Sequence, residues 1–205
     1  MKYLLPVLLA IPLLSCDKAD RKLPYYDSAD FTPRWDISAD TFHQIRPFAL
    51  IDQKEGKFTE QDIEGKICVV DFFFTSCPGI CPKLAVSMAG LQAEFLQDDQ
   101  VLLLSHSVMP DRDTPAVLQK YATDKQVDFS KWKLLTGKRD EIYELGRKYY
   151  FVEEDEGLKR DNDVFLHTEN FVLIDQNRRI RGIYNGLDPN SMQALTADIK
   201  VLKLE

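Results

Sequence analysis

The sequence predicts an α/β domain built around a central mixed β-sheet flanked by helices. Three observations carry that prediction. Apolar, β-rich runs alternate with helical patterns along the body of the chain, the signature of a sheet with crossover helices. One run, Ile67 to Phe74, is apolar almost throughout, as a central strand covered on both faces must be. Beyond it, Leu84, Met88, Leu91 and Phe95 recur at spacings of three and four, so one face of a helix packs onto the sheet.

In chain order, Phe48–Asp52 and Lys57–Thr59 bracket the turn at Glu55-Gly56 and predict a hairpin that extends the sheet at its N-terminal side. The central strand follows, and then a helix from Gly79 to about Leu96. Val101 to Leu104 gives a second buried strand, followed by a helix that Asp113 or Thr114 can cap, with Pro115 in its first turn. Lys133–Leu135 reads as a short strand and Asp140–Tyr150 as a helix. Phe171–Ile174 and Ile180–Tyr184 form a last hairpin, and Asp188-Pro189 opens a terminal helix. No internal repeat is apparent.

The chain has 205 residues, of which 44% are hydrophobic and 29% charged, which suits one globular domain. Acidic residues outnumber basic ones 33 to 26, and the net charge of -7 argues against a nucleic-acid partner, whose phosphates require clustered Lys and Arg. Met1-Lys2-Tyr3 and the apolar stretch Leu4–Leu14 read as a signal peptide, since a bilayer span takes about 20 apolar residues. Leu13-Leu14-Ser15-Cys16 resembles the lipobox of bacterial lipoproteins, which makes Cys16 the acylated first residue of the mature chain. Residues 17–30 are polar and read as a flexible tether, leaving 31–205 as the domain. Asp17 resembles an inner-membrane retention signal, so the expected place is the cell envelope, facing the periplasm from the inner rather than the outer membrane.

Cys77 and Cys81 stand four residues apart where the central strand gives way to a helix, with Pro78 and Pro82 after each. Unpaired N–H groups and the positive dipole end at a helix N-terminus favour a thiolate there. At i and i+4 of a helical turn two thiols are close enough to share a metal or, after adjustment, to form a disulfide. Both chemistries are open on spacing alone. A thioredoxin-class redox motif is CxxC, and the additional residue favours a metal; two thiolates suit Cu(I), and an imidazole as third ligand also accommodates Cu(II). Cys68, inside the apolar strand, reads as a small buried hydrophobe. Of three histidines, His43 reads as a surface residue and His106, ending the second strand, as a possible border of the same site. His167 is the best candidate ligand, because the loop before the strand Phe171–Ile174 faces the Cys loop in thioredoxin-like folds.

The segment Gly65-Lys66 through Phe74-Thr75-Ser76-Cys77-Pro78-Gly79-Ile80-Cys81-Pro82 resembles the signature of the Sco/SenC family. Ser107-Val108-Met109-Pro110-Asp111-Arg112-Asp113-Thr114-Pro115 resembles that family's SVDPxRDTP, and His167-Thr168 before Phe-Val-Leu-Ile-Asp resembles its metal-ligand His loop. The resemblance implies a thioredoxin-like fold in which Cys77, Cys81 and His167 bind one copper ion and pass it toward the binuclear copper centre of cytochrome c oxidase. It implies as partners the copper-containing subunit of that oxidase and a copper donor protein, with the membrane reached through the lipid anchor. Met109 stands where the family has Asp, and Leu166 where relatives often carry a polar residue.

The leading expectation is therefore a copper metallochaperone without turnover. Its rival is a thiol–disulfide oxidoreductase with Cys77 and Cys81 as the redox pair, reducing target cysteines before metallation. A peroxiredoxin-like peroxidase needs a fast sulfenate-forming Cys. Structural zinc needs a fourth ligand.

Overall fold

The structure is a computed structural model that describes residues 21–36, 42–153 and 164–205. The leader, Cys16 and residues 17–20 lie outside the described residues. Seven strands, β1 (Ala49–Asp52), β2 (Lys57–Thr59), β3 (Ile67–Phe73), β4 (Val101–Ser107), β5 (Trp132–Thr136), β6 (Asn170–Ile174) and β7 (Ile180–Asn185), form one sheet in the order β2-β1-β5-β4-β3-β6-β7. β3, β4 and β5 are parallel, while β1 and β6 join their two sides antiparallel. The predicted N-terminal hairpin is β1–β2, paired Ala49↔Thr59 through Ile51↔Lys57.

Helices α1 (Cys81–Glu94), α2 (Pro115–Asp124), α3 (Arg139–Glu144) and α4 (Pro189–Leu202) flank this sheet. Because side chains alternate along a strand, β3 feeds two cores at once. Ile67, Val69 and Phe73 pack with Leu84 and Met88 of α1, Leu118 of α2 and Ile199 of α4. Cys68, Val70 and Phe72 pack on the other face with Ile142, Tyr143 and Tyr150. Thr114, not Asp113, caps α2, accepting from the Val117 N–H at 3.4 Å, and Pro115 fills the first helical position. Asp188 caps α4, accepting from the N–H groups of Asn190 and Ser191.

Two predicted segments differ in the structure. The chain read as tether to Asp30 is folded against the domain from Leu23 onward. Leu23 and Ala29 are buried, Tyr25 bridges Arg34, and Tyr26 bridges Ile180. The buried Arg181 holds this stretch through the Leu23 and Pro24 carbonyls, contacts that no local pattern announces.

The second difference lies after α3. The single helix expected over Asp140–Tyr150 changes to a π-helical turn at Leu145–Tyr149. There Gly146 touches the chain that leads to His167: a Cβ at Gly146 would stand 2.6 Å from Leu166 Cδ1 and 3.1 Å from Phe72 Cε1. Leu166 is buried there, so its apolar character is a packing requirement.

A Gly→Ala change inside a helix ordinarily gains up to about 1 kcal/mol. At Gly146 overpacking outweighs it, and Gly146→Ala is expected to cost about 1–3 kcal/mol. The urea midpoint at unchanged m-value measures this, and an unshifted or raised midpoint contradicts the packing described.

Candidate metal and thiol site

β3 ends at Phe73 and the chain turns through Phe74–Ile80 into α1, so the site sits at the C-terminal edge of the parallel strands. Cys77 lies in this loop, its N–H donating to the Phe74 carbonyl at 3.3 Å, and Cys81 is the first residue of α1. The pair therefore spans loop and helix and is not two rungs of one helical turn. The N-cap of α1 is Ile80, which offers no side-chain acceptor. The Cys77 sulfur takes that role, accepting from the backbone N–H groups of Cys81, Gly79 and Ile80 and from the Cys81 thiol.

The two thiols differ as a result. Burial acts to raise Cys77, but the hydrogen bonds from the Cys81 thiol and from the three amides outweigh it and hold this thiol below its ordinary value. Cys81 is pushed up to about 12, first by burial and then by donating its hydrogen bond to Cys77, with the negative charges of Cys77 and Asp71 adding to the rise. Both sulfurs border a cleft of about 260 Å³ whose walls include Phe74, Pro82 and Tyr121. One partly exposed sulfur that ionises more readily, beside one buried sulfur that holds its proton, can capture a soft metal or attack a disulfide.

The loop carrying Cys77 is fixed by Asp113. This buried carboxylate accepts from the Thr75 hydroxyl at 2.6 Å, from the Thr75 N–H at 3.1 Å and from the Ser107 hydroxyl at 2.6 Å. Its own N–H and that of Arg112 donate to the Met109 carbonyl, both at 2.9 Å. Met109 thus serves the motif through its backbone, while its side chain packs partly buried against the core. The sequence reading gave Asp113 only the choice of capping α2.

A second buried acid lies on the thiol side of β3. Asp71, paired in register with Ser105, accepts a hydrogen bond from the Ser105 hydroxyl, to which Trp132 Nε1 donates at 2.8 Å. Burial raises Asp71 to about 7, against the opposing effect of the Ser105 hydrogen bond. Pattern reading passed over it as part of an apolar run. Its one signal was a carboxylate six residues before Cys77 in an otherwise apolar strand.

The histidines separate cleanly. His106 does not border the site: strand alternation turns Ser105 and Ser107 toward the thiol side and His106 to the opposite face, where it stacks on Phe72 at 5.0 Å and packs near Tyr150 at 5.5 Å. Burial lowers it to about 3, so it is neutral. His43 is half-buried rather than a free surface residue, with Nε2 2.7 Å from the Tyr149 carbonyl and its ring 4.4 Å from that of Phe151. His167 is exposed in the loop before β6. That loop packs on the Cys loop through an edge-to-face contact of Phe165 with Phe74, centroids 5.5 Å apart. Its backbone is held by Glu153, which accepts from the His167 N–H at 3.4 Å and from Arg147 Nε at 2.6 Å, while Arg147 also donates to the Val164 carbonyl at 2.6 Å. The structure brings Cys77 and Cys81 together and leaves His167 outside the pair; among the described residues no three His, Cys, Asp or Glu side chains stand together as a metal-binding group. Cys68 is fully buried, its thiol pushed up by that burial, as expected of a core residue.

A dithiol leading from the central parallel strand into its crossover helix, in a mixed sheet with helices on both faces, defines a thioredoxin-like dithiol protein. The chain belongs to the SCO1/SenC family, whose model matches residues 38–203. A SCO1/SenC family lipoprotein from Bacillus anthracis is 29% identical, superposes with a TM-score of 0.68 and is matched over 78% of this chain and 95% of its own. BsSco, described as a member of a family of cytochrome c oxidase assembly proteins and as having a disulfide switch, is 28% identical with a TM-score of 0.66, over 80% and 95% of the two chains. Copper-bound yeast Sco1 is 26% identical with a TM-score of 0.55, over 78% and 94%.

Two outcomes follow from the buried acids. Asp71 keeps a proton in the folded state that the unfolded chain releases near pH 3.8, so its contribution to stability falls as pH rises from about 4 to 7. Asp71→Asn removes that slope. Relative to wild type its denaturation midpoint should improve progressively across this range and level off above it, and a pH-independent difference contradicts the assignment. Asp113→Ala strands the Thr75 and Ser107 donors at a cost of about 1–3 kcal/mol. It should also slow alkylation of Cys77 by iodoacetamide at neutral pH, whereas an unchanged rate would mean that the clamp does not set the thiol.

Proposed function

We propose that this chain is a copper-binding metallochaperone of the cell envelope, carrying one copper ion on Cys77, Cys81 and His167 to the binuclear copper centre of cytochrome c oxidase. The observation that carries this reading is the unequal thiol pair. Cys77, partly exposed and with its thiol held below its ordinary value by hydrogen bonds from the Cys81 thiol and three backbone N–H groups, is a ready first ligand for a soft ion. Loading displaces the Cys81 proton, which supplies the second thiolate. His167 is exposed on a loop that packs against the Cys loop, and an imidazole so placed is free to join or leave the pair, as delivery by ligand exchange requires. The copper-bound state of yeast Sco1 and the description of BsSco as an oxidase assembly protein support both cargo and destination.

Copper is the cargo, passed to the copper-containing oxidase subunit after receipt from a donor protein. The leader and Cys16 make the chain a lipoprotein held at the periplasmic side of the inner membrane, and the B. anthracis relative named as a lipoprotein supports the anchor. Among the described residues no helix is long and apolar enough to cross a membrane.

A second reading is favoured by the same asymmetry. Here the Cys77 thiolate attacks one sulfur of a target disulfide and the other leaves as thiolate. Cys81 then loses its proton and displaces the target from Cys77, so that the protein ends as a Cys77–Cys81 disulfide and the target gains two electrons. BsSco's disulfide switch supports this alternative.

Anaerobic copper titration of the reduced protein separates the two. One tightly bound equivalent, with affinity lowered by at least about tenfold in His167→Ala and in Cys77→Ser, is expected for the chaperone. Affinity indifferent to His167, with disulfide reduction intact, would transfer the assignment to the oxidoreductase.

A further inference from the structure

We propose that the end of the domain remote from Cys77 and Cys81 is a membrane-contact face, seated on the phospholipid bilayer through Trp35, Val201 and Leu204. The inference rests on the reading of Cys16 as a lipid anchor.

The structure fixes where the anchored chain enters the domain. Arg181, 3% exposed, donates to the Leu23 carbonyl at 2.8 Å, the Pro24 carbonyl at 3.1 Å and Glu205 Oε2 at 2.6 Å, and its guanidinium lies 4.0 Å from the Tyr25 ring centroid. The Leu23 N–H donates to Glu205 Oε1 at 3.0 Å, so the entering chain is fastened to the C-terminus beside the end of α4. That end is far from the thiols. α4 starts next to the C-terminal end of β7, where the Asn185 N–H donates to Ser191, and Gly186 there is packed against Leu84 of α1. It then runs 14 residues to Leu202, about 21 Å at 1.5 Å per residue.

Cys16 lies only five residues before Arg21, so at about 3.3–3.6 Å per residue the lipid-bearing residue cannot be more than roughly 18 Å from this end. The surface held there suits a bilayer interface. Leu204 is 86% exposed and Trp35 64%, and both border a groove of about 730 Å³ with Tyr25, Val201 and Lys22. An indole at headgroup level, a leucine reaching the acyl boundary and lysines extending to the headgroups are the side chains such an interface takes up. Neighbouring charges are largely matched within the protein, Arg21 with Asp198 at 2.7 Å and Lys200 with Glu94 at 2.5 Å. Contact therefore depends on apolar and aromatic groups and not on anionic lipid. The domain stands on this end, and the thiol pair points away from the bilayer, at least a helix length above it.

The full lipidated chain in phosphatidylethanolamine vesicles with brominated acyl chains tests this. Trp35 should lose the larger part of its emission to the bromines and be shielded from aqueous iodide, and added phosphatidylglycerol should leave both results unchanged. In Trp35→Phe the remaining indole, buried Trp132, should show neither response. An acylated, vesicle-bound chain whose Trp35 is quenched by iodide and not by bromine overturns the contact face while leaving the anchor intact. Quenching by neither means that protein, such as a second copy, covers Trp35, and equally overturns it. A chain recovered without lipid on Cys16 overturns the anchor itself and the inference with it.

Discussion

The site depends first on the parallel pairing of β3 with β4, seven residues in register from Ile67↔Val101 to Phe73↔Ser107. Parallel neighbours cannot be joined by a tight turn, so the chain crosses back through α1, and both strands deliver their following loops to the same edge of the sheet. One loop carries Cys77 and the other carries Asp113. Antiparallel β6, on the other side of β3, brings the loop of His167 to that edge from the opposite direction. Three segments distant in sequence thus converge because of strand direction alone. Asp113 then converts convergence into fixed geometry by accepting from Thr75 and Ser107 at once.

Within that frame the helix N-terminus decides which thiol is reactive. α1 begins without a side-chain cap, and the N–H groups of Gly79, Ile80 and Cys81 at its entrance converge on Cys77. Cys81 sits one step inside the helix, where burial and the adjacent charges keep its proton on. The difference arises from position and not from residue type, since both are cysteines following a strand. The four-residue spacing matters here: it leaves Cys77 outside the helix as an acceptor, with Gly79 and Ile80 between the two sulfurs contributing N–H groups.

The elements with strong signals were legible in the sequence: the central strand, the face of α1, the start of α4 and both hairpins follow from pattern, capping and turn residues. The dithiol and its strand-to-helix position were legible for the same reason. What pattern reading missed is polar and buried. It took Val101 to Leu104 as the buried part of β4 and placed His106 at the strand's end, yet Ser105, His106 and Ser107 are all buried in the strand. Ser105 serves Asp71, Ser107 serves Asp113, and His106 stacks on Phe72. Such residues break the hydrophobic period, and only tertiary partners from other segments make their burial tolerable. The N-terminal stretch was misread for a similar cause: its polar composition suggests a tether, but Arg181, about 150 residues later, supplies the contacts that hold it.

Strand direction also gives the domain a polarity that bears on delivery. The parallel strands end at the thiols, and the chain that follows Cys16 enters near the end of α4, at the opposite pole. On the proposed reading, a chain anchored at one pole and reactive at the other presents copper away from the membrane. At the reactive pole the Cys loop is clamped and Leu166 is buried, while Cys77 is partly exposed and His167 exposed. Under the proposed chaperone reading, that division suits transfer. Backbone supports fix where an incoming ligand set must approach, and the donor atoms themselves stay accessible enough to be exchanged one at a time.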